Sequence, residues 1–161
     1  MRNRVVAALL LFITGCVSPL NTPSGCPEVF ISGASAHTVS NHLVSAWIGA
    51  GYSVEQQTAY SILLTRDADD IATQLLFGSE FNATPQCQLR LNIVPVGMST
   101  KVVANYAVVT NPGSAFAKRT DFSKSSKAAH QIQESLDRLR TQLEFRDISA
   151  DRLHAIEAAR N

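Results

Sequence analysis

The chain has 161 residues, with 14 basic and 13 acidic side chains, 45% apolar residues and only 17% charged ones. That length suits one ordinary domain with a real core, and the charge balance supplies no pull toward nucleic acid. Low charge, with much of the polarity carried by Ser, Thr, Asn and Gln, excludes a charge-rich disordered protein.

The chain begins with a stretch of distinct character. Arg2 and Arg4 give a basic start, Val5 to Ile13 is an almost unbroken apolar run, and Ile13-Thr14-Gly15-Cys16 follows. The run is far shorter than the ~20 residues a bilayer-spanning helix needs, and it has the layout of a secretory signal. This stretch resembles the signal peptide of bacterial lipoproteins, in which a branched apolar residue, a small residue and a glycine precede the cysteine to be acylated. The resemblance implies a diacylglycerol on the Cys16 sulfur, cleavage before Cys16 and a fatty acyl group such as palmitate on the new amino terminus. An ordinary signal peptide, or a buried apolar helix with an incidental cysteine, is the competing reading. Val17 stands where lipoproteins retained in the inner membrane commonly carry aspartate, so the resemblance favours the outer membrane, on its periplasmic face.

On this reading residues 1–15 are a signal peptide, 16–27 a lipidated cysteine and tether, 28–145 one α+β domain, and 146–161 a charged tail. The mature chain would hold 12 basic and 13 acidic side chains. Cys26 and Cys87 remain, an even number in an oxidising space, and are expected to form a disulfide that staples the N-terminal segment to the domain. Two unpaired thiols are the alternative. Residues 17–27 hold three prolines and a glycine with no apolar period, which reads as a short tether.

Glu28 to Ser32 is a short strand that Gly33 breaks. Ser35 caps a helix running to about Ala50, with Val39, Leu43, Ala46, Trp47 and Ala50 on one face and Gly51 as its stop. Trp47 is read as a core anchor, with a ligand-stacking ring as the alternative. Tyr52 to Gln57 and Ala59 to Arg66 are two strands joined by a tight turn. Asp67, Asp69 and Asp70 crowd the start of a second helix, from about Ala68 to Phe77, where negative charge suits the helix dipole. Residues 79–87 read as an irregular loop. Leu89, Leu91 and Ile93, then Val102, Ala104, Tyr106 and Val108, mark two alternating strands around a Pro95 to Lys101 hairpin loop.

Asn111-Pro112-Gly113 predicts a type II turn, and Ala115 to Asp121 a short returning strand. Ala128, Ile132, Leu136, Leu139 and Leu143 share one face of a helix from about Lys124 to Glu144. That narrow stripe packs on the domain's own sheet or lines a partner helix. Beyond Phe145 the tail carries only Leu153 and Ile156 as large apolar residues, and it is expected to fray. The order β-α-β-β-α-β-β-α predicts an α+β fold, an antiparallel sheet with helices packed on one face. It resembles the helix-grip modules of outer-membrane-assembly lipoproteins related to BamC, in element order alone.

No catalytic constellation emerges. Gly33-Ala34-Ser35-Ala36 lacks the closing glycine of a nucleophile elbow, and neither a P-loop nor G-x-G-x-x-G is present. His37 and His42 point about 140° apart on a helix, poor geometry for one metal ion; His130 and His154 stand alone. The aspartates lack the glycine and closing glutamate of a calcium loop. The expectation is a chain with no metal and no cofactor beyond its lipid. Lys118, Arg119, Lys124 and Lys127 form a basic patch, either a solvated face or a contact for lipid phosphates.

The reading that results is a lipid-anchored, non-enzymatic interaction module of the envelope, bound to the membrane through Cys16 and to an envelope protein. Pro112, Gly113, Lys118, Arg119, Leu136 and Leu139 are its candidate contact residues. A carrier or sensor of a small apolar ligand or lipid, with Trp47 and Tyr106 lining the cavity, is a second reading. A phage- or plasmid-borne surface-exclusion lipoprotein is a third.

Overall fold

Six strands form one antiparallel sheet, and two helices cover the face where its alternating apolar residues collect. The computed structural model describes residues 18–68, 84–124 and 126–158. In chain order the elements are β1 (Glu28–Ser32), α1 (Ala36–Gly49), β2 (Ser53–Gln57), β3 (Ser61–Asp67), β4 (Gln86–Val96), β5 (Ser99–Thr110), β6 (Lys118–Asp121) and α2 (Lys127–Ala158). Across the sheet the order is β1-β5-β4-β3-β2, and β6 also pairs with β5. The predicted α+β class and its antiparallel sheet are therefore present. The helix expected from Ala68 to Phe77 lies outside the described residues beyond Ala68 itself.

Val29, Ile31, Ile62, Leu64, Leu89, Leu91, Ile93, Val102 and Ala104 point to one side of the sheet and are almost wholly buried. Val39 and Leu43 of α1 meet the β2–β4 half, while Ile132, Leu136, Leu139 and Leu143 of α2 complete the same core. At about 25 cal/mol per Å² of apolar surface removed from water, this single cluster is the main source of stability.

The ends of α1 follow local chemistry. Ser35 keeps an extended backbone and its side chain accepts a hydrogen bond from the Thr38 N–H, satisfying one free donor of the first turn. At the other end Gly51 adopts φ +84°, a left-handed conformation that stops the helix and turns the chain into β2.

The β4–β5 hairpin is longer than its sequence suggests. The ladder runs through Pro95 opposite Thr100 and Val96 opposite Ser99, leaving Gly97 and Met98 as the turn. Gly97, at φ +58°, takes the position where a two-residue hairpin of type II′ wants glycine. Pro95 is tolerated for a positional reason. The Ile93 N–H points toward β3 and bonds the Tyr60 carbonyl, and the Pro95 nitrogen points the same way, beyond the end of β3. No ladder bond is lost.

One edge of β5 is shared. β1 pairs with its first half, and β6 pairs with residues 107–110. At Tyr106, between the two, the Ser123 hydroxyl accepts from the Tyr106 N–H at 2.8 Å, and the Phe122 N–H donates to the Tyr106 carbonyl at 2.8 Å. A side chain thus completes the ladder where no strand does.

α2 corrects the expected boundary at its C-terminal end. Ser126 accepts from the Ala129 N–H at its start, and the helix then continues for 32 residues to Ala158, through most of the expected tail. A helix already nucleated extends at one hydrogen bond per residue fixed, and Ala, Leu, Arg and Glu are all good helix formers.

Candidate interaction surface

The expected Cys26–Cys87 bridge is absent; both are buried free thiols. Cys26 stands two residues before the start of β1 and Cys87 lies in β4, with β5 between those strands. Lanes two strands apart are about 10 Å apart, beyond the roughly 7 Å that a disulfide spans between Cα atoms. Burial pushes the Cys26 thiol up, against the opposing pull of Lys124. Cys87 instead receives a hydrogen bond from the Tyr106 hydroxyl at 3.0 Å.

Leu136 and Leu139, expected as candidate contact residues, are 1% and 6% exposed. Their stripe packs on the chain's own sheet. Trp47 packs edge-on against Tyr52 with ring centroids 5.3 Å apart, and Arg66 lies over the Tyr52 ring at 4.8 Å. Trp47 and Tyr106 both pack against the main core. A recess of about 290 Å³ does lie between the helices, lined by Leu43, Ala46, Trp47, Ser135, Arg138 and Leu139 among others.

Pro112 and Gly113 occupy the middle of a turn closed by the Ser114 N–H on the Asn111 carbonyl at 3.2 Å. Gly113 has φ +76°, as a type II turn requires at that position. A second turn follows at once, from Ser114 to Ala117, and sets Phe116 out into solvent at 84% exposure. Lys118 and Arg119 then lead into β6, both exposed. Arg119 lies 3.9 Å from Asp121. Burial pushes the Asp121 carboxyl up, but the Ser123 hydroxyl and N–H, Arg119 and Lys124 outweigh it and hold the group below its ordinary value.

Among the described residues, no element packs on the side of the sheet away from the helices. That face divides into two regions. Around β4 it is polar, with Gln88, Arg90, Asn105, Arg119, Asp121 and Leu63 lining a recess of about 410 Å³. Toward the β4–β5 hairpin it is apolar: Phe30 and Val94 flank Lys101 across the strands, with Val96 two residues on and Met98 in the turn, and all four apolar residues are at least 45% exposed. Sequence reading did not single these residues out. Consecutive Ile93 and Val94, and Val29-Phe30-Ile31, were the available signal, because a strand with one wet face seldom carries large apolar residues on both sides.

Among the described residues no group of three or more His, Cys, Asp or Glu could hold a metal ion. His37 pairs with Asn41 at 3.1 Å, and the His130 Nε2 contacts the Ser18 carbonyl at 2.7 Å. No helix among the described residues is long and apolar enough to cross a membrane. Cys16 lies outside the described residues.

Together these features define an α+β protein whose antiparallel sheet is packed by helices on one face, with no described element packed on the other. Set against known protein families, curated proteins and solved structures, the chain gives no match.

Proposed function

We propose that the chain is a lipid-anchored protein of the bacterial cell envelope, a non-enzymatic interaction module held at the outer membrane through acylated Cys16. The observation that carries this reading is the sequence Ile13-Thr14-Gly15-Cys16 behind a short apolar run with a basic start. The sheet face away from the helices adds to it. An apolar group of Phe30, Val94, Val96 and Met98, with polar side chains around β4 beside it, has the composition of a surface that another protein covers. The partner is an envelope protein that buries this hairpin end of the sheet.

Metabolic labelling with palmitate tests the anchor: the natural chain takes up label and Cys16→Ala does not. Label on the Cys16→Ala variant sinks the lipoprotein reading. A photo-crosslinking residue placed at Val94 should give one discrete envelope adduct in cells, while the same residue at Ile48, exposed on α1, gives none. Equal adducts at both positions would remove the sheet face from the proposal.

A further inference from the structure

The Phe116 loop follows Thr110 at the C-terminal end of β5, the half of that strand flanked by β6 and the lead-in to α2. Ser18 is pinned to the first turn of α2 by the 2.7 Å contact of its carbonyl with His130. Ser18 is the first described residue and follows Cys16 by two positions in the sequence. Lys124 and Lys127 are exposed immediately before and at the start of α2, and Lys118 and Arg119 are exposed in β6. From Asn111 to His130 the sole acidic residue is Asp121, which is engaged by Arg119 and by the Ser123 N–H at 2.7 Å. The region is cationic, and its one carboxylate is occupied.

Phe116 is held out by a built loop. The Ser114 hydroxyl bonds the Asn111 carbonyl at 2.9 Å and accepts from the Phe116 N–H at 3.1 Å, while two successive turns brace the backbone on either side. An exposed ring on a braced loop beside four cations is the composition that meets anionic lipid headgroups, with the ring at the acyl boundary and the cations on phosphate.

We propose that Phe116, Lys118, Arg119, Lys124 and Lys127 form a second membrane contact, docking the domain on anionic phospholipid headgroups of the bilayer that receives the Cys16 acyl chains. The proposal rests on the lipid-anchor reading. The anchor makes the contact intramolecular, so that headgroup attraction too weak to bind a free domain suffices to orient a tethered one. Met98 lies at the opposite end of the 12-residue strand β5 from Thr110, so the docked domain presents its apolar hairpin end away from the lipid.

The test uses the acylated full chain in vesicles with brominated acyl chains, either phosphatidylethanolamine with phosphatidylglycerol or phosphatidylcholine alone. Phe116→Trp and Met98→Trp place a fluorophore at each end, at positions 84% and 91% exposed, where folding is not at stake. The expected result is loss of emission from Phe116→Trp in the phosphatidylglycerol vesicles and none from Met98→Trp, each measured against the parent chain with Trp47 alone. That loss should disappear when Lys118, Arg119, Lys124 and Lys127 are all changed to Gln. A chain that carries no acyl group overturns the anchor reading and the docking with it. An acylated chain whose Phe116→Trp emission is quenched no more than that of Met98→Trp overturns the docking face and leaves the anchor standing.

Discussion

Lys101 on β5 holds the carboxylate of Glu28 on β1 at 3.3 Å, with the Glu28 side chain only 3% exposed and the Lys101 side chain 26% exposed. The contact is an ion pair without an aligned hydrogen bond, since neither Glu28 oxygen has a hydrogen-bond partner. Lys101 also sits 5.1 Å from the Phe30 ring. Removing the cation strands a buried charge, so Lys101→Met should cost about 3 kcal/mol in urea unfolding. Adding Glu28→Met should recover most of that loss. A Lys101→Met variant as stable as the parent would show that the carboxylate finds water instead.

Ser123, 2% exposed, gives a second local test. Its hydroxyl is the partner of the Tyr106 N–H in the gap between β1 and β6. Ser123→Ala leaves that N–H without its partner at a cost of about 2 kcal/mol. Hydrogen exchange at Tyr106 should accelerate by more than at Ala104, whose N–H bonds the Pro27 carbonyl. Equal protection at both amides would mean that another acceptor takes over.

The two cysteines make a prediction by mass. Unfolded without any reductant, the protein should take up alkylating reagent at both Cys26 and Cys87. In the folded state both should react slowly, because they are 8% and 2% exposed. A reductant should leave the melting temperature unchanged. An unreduced, unfolded chain that takes up no label would restore the bridge.

Alkaline pH should weaken the fold through two tyrosines. Burial first, then the hydrogen bond to Cys87, keeps the Tyr106 hydroxyl protonated far above its ordinary range, and burial raises Tyr52 despite nearby Arg66. Both groups keep their protons in the folded chain after the unfolded chain has lost them. Stability from this source is therefore complete below the ordinary value of 10.0 and falls as pH rises beyond it. Tyr106→Phe should reduce the slope of stability against pH in that range. An unaltered slope would mean that Tyr106 ionises freely in the folded state.

Legibility along the chain followed the range of the interaction. α1 was readable at both ends because Ser35 and Gly51 act on their own turns. At Pro95 the sequence suggests a loop, yet the hairpin ladder runs through it, because its tolerance depends on where β3 stops, a fact held in another strand. The stripe of Leu136 and Leu139 gave a face but not what the face meets. Parity pairs Cys26 with Cys87, and only the sheet order puts β5 between β4 and the strand that follows Cys26. Phe116 carried a faint local signal, a lone aromatic among small residues in a turn.

By itself the sequence determined the α+β class, the apolar faces of its helices and strands, the Asn111–Ser114 turn and the lipoprotein-like start, because periodicity, caps and short motifs act within a few residues. Tertiary structure alone decided that the thiols stay apart and that the last helical stripe is core. It also decided that the sheet face away from the helices is apolar at its hairpin end, and that Ser18 is held against the first turn of α2. Each of these depends on which strands become neighbours, and pairing between distant segments is set by the burial of the whole core at once.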